Sequence, residues 1–551
     1  MSTANTAWRY ANFSVYPQAT HLLVTIREDH TDDPDGKHPE NVVYTLCIVD
    51  TKNVTVEVLT HGADFYASPV FNPSGNKIAW QEWYLPDLPW QGGIIYVADV
   101  VASGGAIGIS NHVQVAGQKQ TASATFPSWI GDTTLLYTSD KDQDNRFQNP
   151  FIFDTVAQTS TPVLDEPLDK DFAEPAWYLG LYPYAILGGG TYGAFTAFDG
   201  GRNILYVIGL EGYSKPVQID NSIFDFAVAQ HLRPLGEDAF VFTGSKSTSP
   251  GGVFQGTIIQ SSGTYTAKFD PLKTTGEHPD WDKYIATPIA KPLQADDHTI
   301  YVVYYLPTNP DFVAPSGEKP PCILNVHGGP TGLEPQALNW TKTYYTSRGF
   351  AWYVPHRYIS VNAYSDAVLT GWTSIIVDPP DMDGTICEDP TQCLCILFTL
   401  TSLSELLNGN WGYYDIDDCK EAHTILADEG VLDAKRVAIR GGSAGGYTTL
   451  SSLTFAPEPG YYKAACSAYG GVADPTLLLK VTEKLESQYL YTLFGSTDVT
   501  TWDVRNPIKN IKNPDTGEVN FRVPLLVSGP LGLCLRCMLI ALSFFDVDAA
   551  W

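Results

Sequence analysis

One serine in the chain stands where its hydroxyl could become a nucleophile. Ser443 lies in the run Val437-Ala438-Ile439-Arg440-Gly441-Gly442-Ser443-Ala444-Gly445-Gly446-Tyr447. That order predicts a strand, a sharp turn at Ser443 and the start of a helix, the pattern of a nucleophile elbow. At such a turn the serine takes a strained backbone conformation, and the residues two before and two after it must be nearly free of side chain. Gly441 and Gly445 fill those two places. The chemistry would be acyl transfer, with the Ala444 N–H facing the developing oxyanion.

The bulk of the sequence limits what that serine could serve. At 551 residues the chain exceeds what one core usually supports, so two large domains are expected. Hydrophobic residues make up 44% and aromatics 12%, with 47 glycines and 38 prolines, which excludes a disordered or fibrous chain and fits many short strands joined by turns. A formal charge of −28, with no Lys/Arg block against it, repels phosphate backbones and anionic lipid. The expected partners are therefore neither nucleic acid nor membrane, and the oligomeric state stays open. Met1 to Trp8 has no basic and apolar leader pattern, so the expected address is cytoplasmic. Of nine cysteines, Cys47, Cys322, Cys419 and Cys466 read as free thiols of a reducing compartment.

From about Tyr10 to Pro279, short β-branched and aromatic runs alternate with turn clusters and show almost no helical period. Pro69, Pro127 and Pro175, each in an aromatic-rich Pro segment, are spaced 58 and 48 residues apart, near the period of four-stranded propeller blades. Residues 1–280 are expected to form an all-β propeller, and a β-sandwich is the plainer alternative. Gly188-Gly189-Gly190-Thr191-Tyr192-Gly193 matches the dinucleotide fingerprint, but Ala194 to Phe198 reads as strand, so no helix end would meet a pyrophosphate. After about Asp280 strands alternate with helices: Ile300–Leu306, Cys322–Val326, a helix over Asp415–Glu429 stopped at Gly430, Val437–Ile439, Ala464–Tyr469 and Val523–Val527. Residues 281–551 are thus expected to form an α/β domain on a mostly parallel, covered sheet.

Three motifs in this order, His327-Gly328-Gly329-Pro330, Asn410-Trp411-Gly412-Tyr413-Tyr414-Asp415-Ile416-Asp417-Asp418 and Gly441 to Tyr447, behind a propeller, resemble the prolyl oligopeptidase family of serine peptidases. Its acylaminoacyl-peptidase and dipeptidyl-peptidase branch looks most similar. The resemblance implies an α/β-hydrolase domain that cleaves short peptides while the propeller caps the site, with no cofactor and no metal. It implies Ser443 as nucleophile, with Ala444 and Gly329 as backbone oxyanion donors. The glycine-rich Gly328-Gly329 loop suits that role, because a backbone without side chains can approach closely. His327 is read as shaping that loop, and His423 as structural, because in this fold the triad histidine follows the serine.

The chain also departs from that pattern. Its last histidine is His423, so no histidine after Ser443 supplies the general base, and the triad aspartate stays unassigned because Asp546 and Asp548 stand in the wrong context. Residues 352–405 read as an anomalous insertion and 529–551 as a tail foreign to the family, and together they hold Cys387, Cys393, Cys395, Cys534 and Cys537. Translated intron or frame error is the preferred explanation, and a lineage-specific insertion the milder one. Cys534-Leu535-Arg536-Cys537 has neither histidine nor zinc spacing, and the apolar run from Leu525 is broken by Gly529, Pro530, Gly532 and Arg536. The expectation is a peptidase by family whose literal 551-residue chain is inactive. The alternative is a non-catalytic chain that binds peptides or partners.

Overall fold

Residues 8–274 build five four-stranded sheets, at 8–61, 65–116, 124–162, 184–218 and 228–274. In each, strands adjacent in sequence pair antiparallel. The computed structural model describes residues 6–528 except 104–105, 142–146, 262, 277–278, 296–297, 356–406, 456–459, 469, 481, 513–515 and 521–522. Of the sequence readings above, Pro379–Asp383, the five cysteines of the two anomalous segments, Asp546 and Asp548 lie outside the described residues.

The first strand of each sheet faces a common axis. Val70, Ser128, Tyr184 and Leu232 from four of these strands, and Pro17 just past the fifth, line one cavity of about 580 Å³. Sheets arrayed around a central channel by their innermost strands make a propeller, as the sequence led us to expect. Adjacent sheets share apolar clusters, such as Phe126 and Leu136 of the third sheet with Tyr184 and Phe195 of the fourth. Trp129 donates its indole N–H to the Val70 carbonyl (3.0 Å), and the Ser74 N–H bonds Asp132 (2.8 Å). Pro69 and Pro127 occupy matching inner strands, Phe65–Phe71 and Ala124–Trp129. Pro175 lies instead in the irregular stretch before Tyr184–Leu187, so its spacing is not a blade period. A truer repeat sits one residue before Pro69 and Pro127. Asn12, Ser68, Phe126 and His231 all have φ between 49° and 59°. Each interrupts the register of an inner strand as a bulge.

Gly188–Gly190 forms a single tight turn that runs directly into strand Tyr192–Asp199, so no helix begins there.

The second region is a seven-stranded mixed sheet. Its strands are β1 (Pro288–Gln294), β2 (Thr299–Tyr305), β3 (Cys322–Val326), β4 (Ala351–Pro355), β5 (Val437–Gly442), β6 (Ala464–Ala468) and β7 (Leu525–Ser528). They stand in the order β1-β2-β4-β3-β5-β6-β7, with β4 to β7 and β3 parallel and β1 and β2 antiparallel at one edge. Helices α1 (Trp340–Thr346), α2 (Tyr414–Asp428), α3 (Ala444–Thr454) and α4 (Tyr489–Phe494) accompany it. α2 begins with Asp415 and Asp417 in its first turn, where carboxylates suit the helix dipole, and Gly430 (φ 73°) follows its end. Every residue of α3 is buried. The chain moves outward from β3 to β4 and then returns past β3 to β5, so the sheet reverses direction between β3 and β5. In open α/β sheets ligands bind outside the carboxyl ends of strands at such a reversal.

The halves meet through side chains. Trp177 lies between Trp90 (centroids 4.6 Å apart) and Tyr489 (5.8 Å), and donates its indole N–H to the Thr331 carbonyl (2.7 Å). Lys484 reaches across to Asp64 (3.3 Å) and to the Val42 carbonyl (3.1 Å).

Candidate active site

Ser443 sits at the carboxyl end of β5, with φ 52° and ψ −123°. That is the backbone of the first central residue of a type II′ turn, ordinarily glycine. The side chain is exposed while Ala444 to Thr454 behind it are buried. The flanking glycines explain how the turn closes. A Cβ on Gly441 would lie 2.3 Å from the Gly445 carbonyl oxygen, and one on Gly445 would lie 2.1 Å from the Val326 oxygen and 2.6 Å from that of His327. Those neighbours are backbone, so no side chain can move aside. The Ser443 N–H is held by the Ala468 carbonyl of β6 (3.2 Å), which fixes the turn against the sheet.

The loop after β3 comes to the same place. A Cβ on Gly328 would approach Ser443 Cβ to 3.4 Å and the Gly442 oxygen to 3.1 Å. Gly329 has φ 127°, open to glycine alone. Gly329, Ser443 and Ala444 line one cavity. The Ala444 N–H belongs to the first turn of α3, where amides have no intrahelical acceptor. The geometry thus brings Ser443, Ala444, Gly329, Gly328, Gly441 and Gly445 together, and His327 flanks them.

The Asn410–Asp418 motif grips α3 rather than touching the cavity with its charges. Asp415 accepts from the Gly412 N–H (2.6 Å) and the Thr448 hydroxyl (2.7 Å), and burial pushes its carboxyl up to about 7. Trp411 packs on Tyr447 at 4.1 Å between centroids. Arg505 is buried and donates to the carbonyls of Gly409 (2.9 Å), Trp411 (2.9 Å) and Phe494 (2.6 Å), while its own carbonyl accepts from the Tyr447 hydroxyl (2.8 Å). Three carbonyls take the place of a counter-ion. Arg505 carries no sequence signal, since nothing near it marks a buried cation.

Neither candidate histidine bonds Ser443. His327 is buried, its Nδ1 is 2.8 Å from the Gly328 oxygen, and burial lowers its pKa. His423 is buried near the amino ends of the strands: its Nδ1 pairs with the Tyr461 hydroxyl (2.7 Å), three residues before β6 begins, and its ring stacks on Tyr353. Ser443 lies at the opposite ends of those strands, about 16 Å away for a strand of this length. Among the described residues no side chain hydrogen-bonds the Ser443 hydroxyl. Glu82 is turned inward, accepting from Trp80 (2.9 Å) and Tyr84 (2.8 Å). His298, Asp418 and Glu421 place potential metal-ligand atoms within 4.8 Å of one another, and the His298–Asp418 contact (3.0 Å) ties the start of β2 to α2. Cys47, Cys322 and Cys419 are buried free thiols, whereas Cys466, also free, is only partly buried.

The far wall of the cavity escaped the sequence reading. It is formed by Val472, Leu478, Tyr489, Leu490 and Leu493, with Thr482 and Glu486 beside them. These residues come from short helices and turns after β6, where no motif flags them.

Residues 401–528 match the family model described as the prolyl oligopeptidase family. No curated protein matches the chain. Among solved structures, a puromycin-hydrolyzing peptidase of Mycobacterium tuberculosis is similar at 25% identity and TM-score 0.74, over 95% of this chain and 70% of that one. A puromycin hydrolase aligns at 23% identity and TM-score 0.74, over 94% and 69%. Prolyl oligopeptidase B of Galerina marginata shares the fold at 14% identity and TM-score 0.65, over 95% and 64%.

Proposed function

We propose that this chain, a member of the prolyl oligopeptidase family of serine peptidases, is built to hydrolyse short peptides through an acyl-enzyme on Ser443. The observation that carries the reading is the exposed Ser443 at φ 52°, lining one cavity with Gly329 and Ala444. In the first step the Ser443 Oγ bonds the scissile carbonyl carbon, its proton passes to a base, and the oxyanion faces the N–H groups of Ala444 and Gly329. Collapse breaks the C–N bond as the amine takes the proton, and water then cleaves the ester. Trp177 of the propeller packs on Tyr489 of the cavity wall, and a propeller this near the site favours short, unfolded substrates. Puromycin, named for two similar structures, is an aminoacyl amide, so dipeptidyl or acylaminoacyl amides are the substrate class to try. Four free thiols among the described residues support a reducing, cytoplasmic setting.

A second reading has its own support. No imidazole within the described residues bonds Ser443, and no histidine follows it within residues 1–551. A serine without its base is a weak nucleophile, and losing one triad member removes most of the rate. We therefore expect negligible turnover of chromogenic dipeptidyl or acylaminoacyl amides by the 551-residue chain, equal to that of Ser443→Ala. Imidazole added to the buffer should raise turnover for the wild-type chain and not for Ser443→Ala. Turnover that depends on Ser443 without added imidazole would refute the binding-only reading. Rescue that survives Ser443→Ala would refute Ser443 as the nucleophile.

A further inference from the structure

We infer that His298, Asp418 and Glu421 bind a divalent transition-metal ion of the zinc class, which clasps the turn between β1 and β2 to helix α2. The site shares no residue with the Ser443 cavity, and it holds whether or not that serine is a nucleophile.

Convergence is the first ground. One ligand atom from each of the three side chains lies within 4.8 Å of the other two. Asp418 and Glu421 stand three residues apart on α2 and so share one of its faces. His298 comes from a separate element, a turn closed by the bond from the Ala295 N–H to the His298 carbonyl (2.9 Å) and by Gln294 on Thr299 (2.8 Å). Both supports are thus fixed before any ion arrives. Spacing is the second ground. His298 Nε2 and Asp418 Oδ1 are 3.0 Å apart, and neighbouring ligands on a metal with bonds of about 2.1 Å are separated by about 3.0–3.4 Å. Only Glu421 must close in, and a half-buried glutamate has the rotamers to do so.

Charge is the third ground. Asp418 is only 1% exposed, yet the Glu421 carboxylate approaches it and makes no hydrogen bond or ion pair of its own among the described residues. Burial and, after it, the Asp418 charge push the neighbouring Asp415 carboxyl up to about 7. A cation between Asp418 and Glu421 would relieve that crowding. One imidazole nitrogen with two carboxylates suits Zn²⁺ and its first-row neighbours better than Mg²⁺ or Ca²⁺, which take oxygen ligands. The ion would take the place of the proton between Nε2 and Oδ1, with water completing its shell. It would brace the helix whose Asp415 holds Gly412 and Thr448 behind the elbow.

The 551-residue chain, stripped with EDTA and dialysed, is titrated calorimetrically with Zn²⁺ and separately with Mg²⁺. Zn²⁺ should bind ten-fold or more tightly than Mg²⁺ and raise the melting temperature. Glu421→Gln keeps the volume of the side chain and the His298–Asp418 contact, so its metal-free melt should match the wild type while Zn²⁺ affinity falls ten-fold or more. His298→Ala should lose the Zn²⁺-dependent rise in melting temperature. Co²⁺ separates this site from the thiols: bound here it absorbs in the visible without the near-ultraviolet band of a cobalt thiolate. Equal affinity for Mg²⁺ and Zn²⁺, Zn²⁺ binding unchanged in both variants, or a Co²⁺ spectrum of thiolate type alone would each overturn the inference.

Discussion

The elbow and the propeller bulges both hold non-glycine residues at positive φ, but different forces hold them there. At Ser443 the cause is tertiary: Gly441 and Gly445 let β3, β5 and α3 approach until a single Cβ would lie 2.1–2.3 Å from backbone oxygen. At Asn12, Ser68, Phe126 and His231 the cause lies within one sheet, where an extra residue in the inner strand shifts the ladder. The bulges also support one another, since Asn12 Oδ1 accepts from the Ser68 N–H (2.5 Å) and so ties the first blade to the second. Strain imposed by converging backbones has no way to relax, whereas a bulge can slip or flatten within its own ladder. The elbow should therefore be the more brittle of the two.

The largest test breaks the elbow. Gly445→Val should cost about 4 kcal/mol or more, because its Cβ meets fixed backbone and overpacking adds to backbone strain. Loss of the cooperative melt is the expected readout, and a soluble variant with the wild-type transition would show the approach to be softer than the geometry implies. On the propeller side, Asn12→Ala should cost about 2 kcal/mol, since it leaves the Ser68 N–H without its acceptor and puts alanine at positive φ. Denaturant unfolding measures it, and a change below about 0.5 kcal/mol would mean that water replaces the bond.

Titration tests which side carries the pH dependence. Asp415 behind the elbow and Asp140 in the third blade both have carboxyls raised by burial to about 7. A raised folded-state pKa contributes stability that is complete below the unfolded value near 4 and is lost as pH rises through 7. Each should thus remove about 1 kcal/mol between pH 6 and 8. Glu174 of the propeller, also raised by burial to about 7, titrates in the same window. Asp415→Asn and Asp140→Asn should each remove one group's share of the slope, and a slope unchanged by both would place it elsewhere. The smallest effects come from relieving φ directly. Ser443→Gly should stabilise by about 0.5–1 kcal/mol, relief of strain outweighing the entropy of glycine, and Ser68→Gly by less than about 0.5 kcal/mol. Equal gains at the two positions would erase the distinction between them.

Much of this was legible in the sequence because it is encoded locally. Gly441, Ser443 and Gly445 announce the elbow through spacing alone, and β3, β5, β6 and α2 appear within a few residues of where apolar runs, opening carboxylates and Gly430 predict them. The propeller was readable from its turn-rich strands, but the prolines gave only part of the period. Its steadier marker, a residue at positive φ in the inner strand, is occupied by Asn, Ser, Phe and His in turn, and no residue type signals it. The cavity wall was illegible for another reason. Glu486 and Arg505 matter through what the fold brings to them, a shared cavity in one case and three carbonyls in the other, and neither is written in neighbouring residues.

Trp177, wedged between Trp90 of the propeller and Tyr489 of the cavity wall, makes the closed arrangement optically visible. Separating the halves would leave Trp90 in place but strip the Trp177 indole of Tyr489 and of the Thr331 carbonyl, and its emission would shift to the red. The difference spectrum between the chain and Trp177→Phe isolates that signal, so opening of the cleft could be timed by stopped-flow fluorescence without attaching a dye.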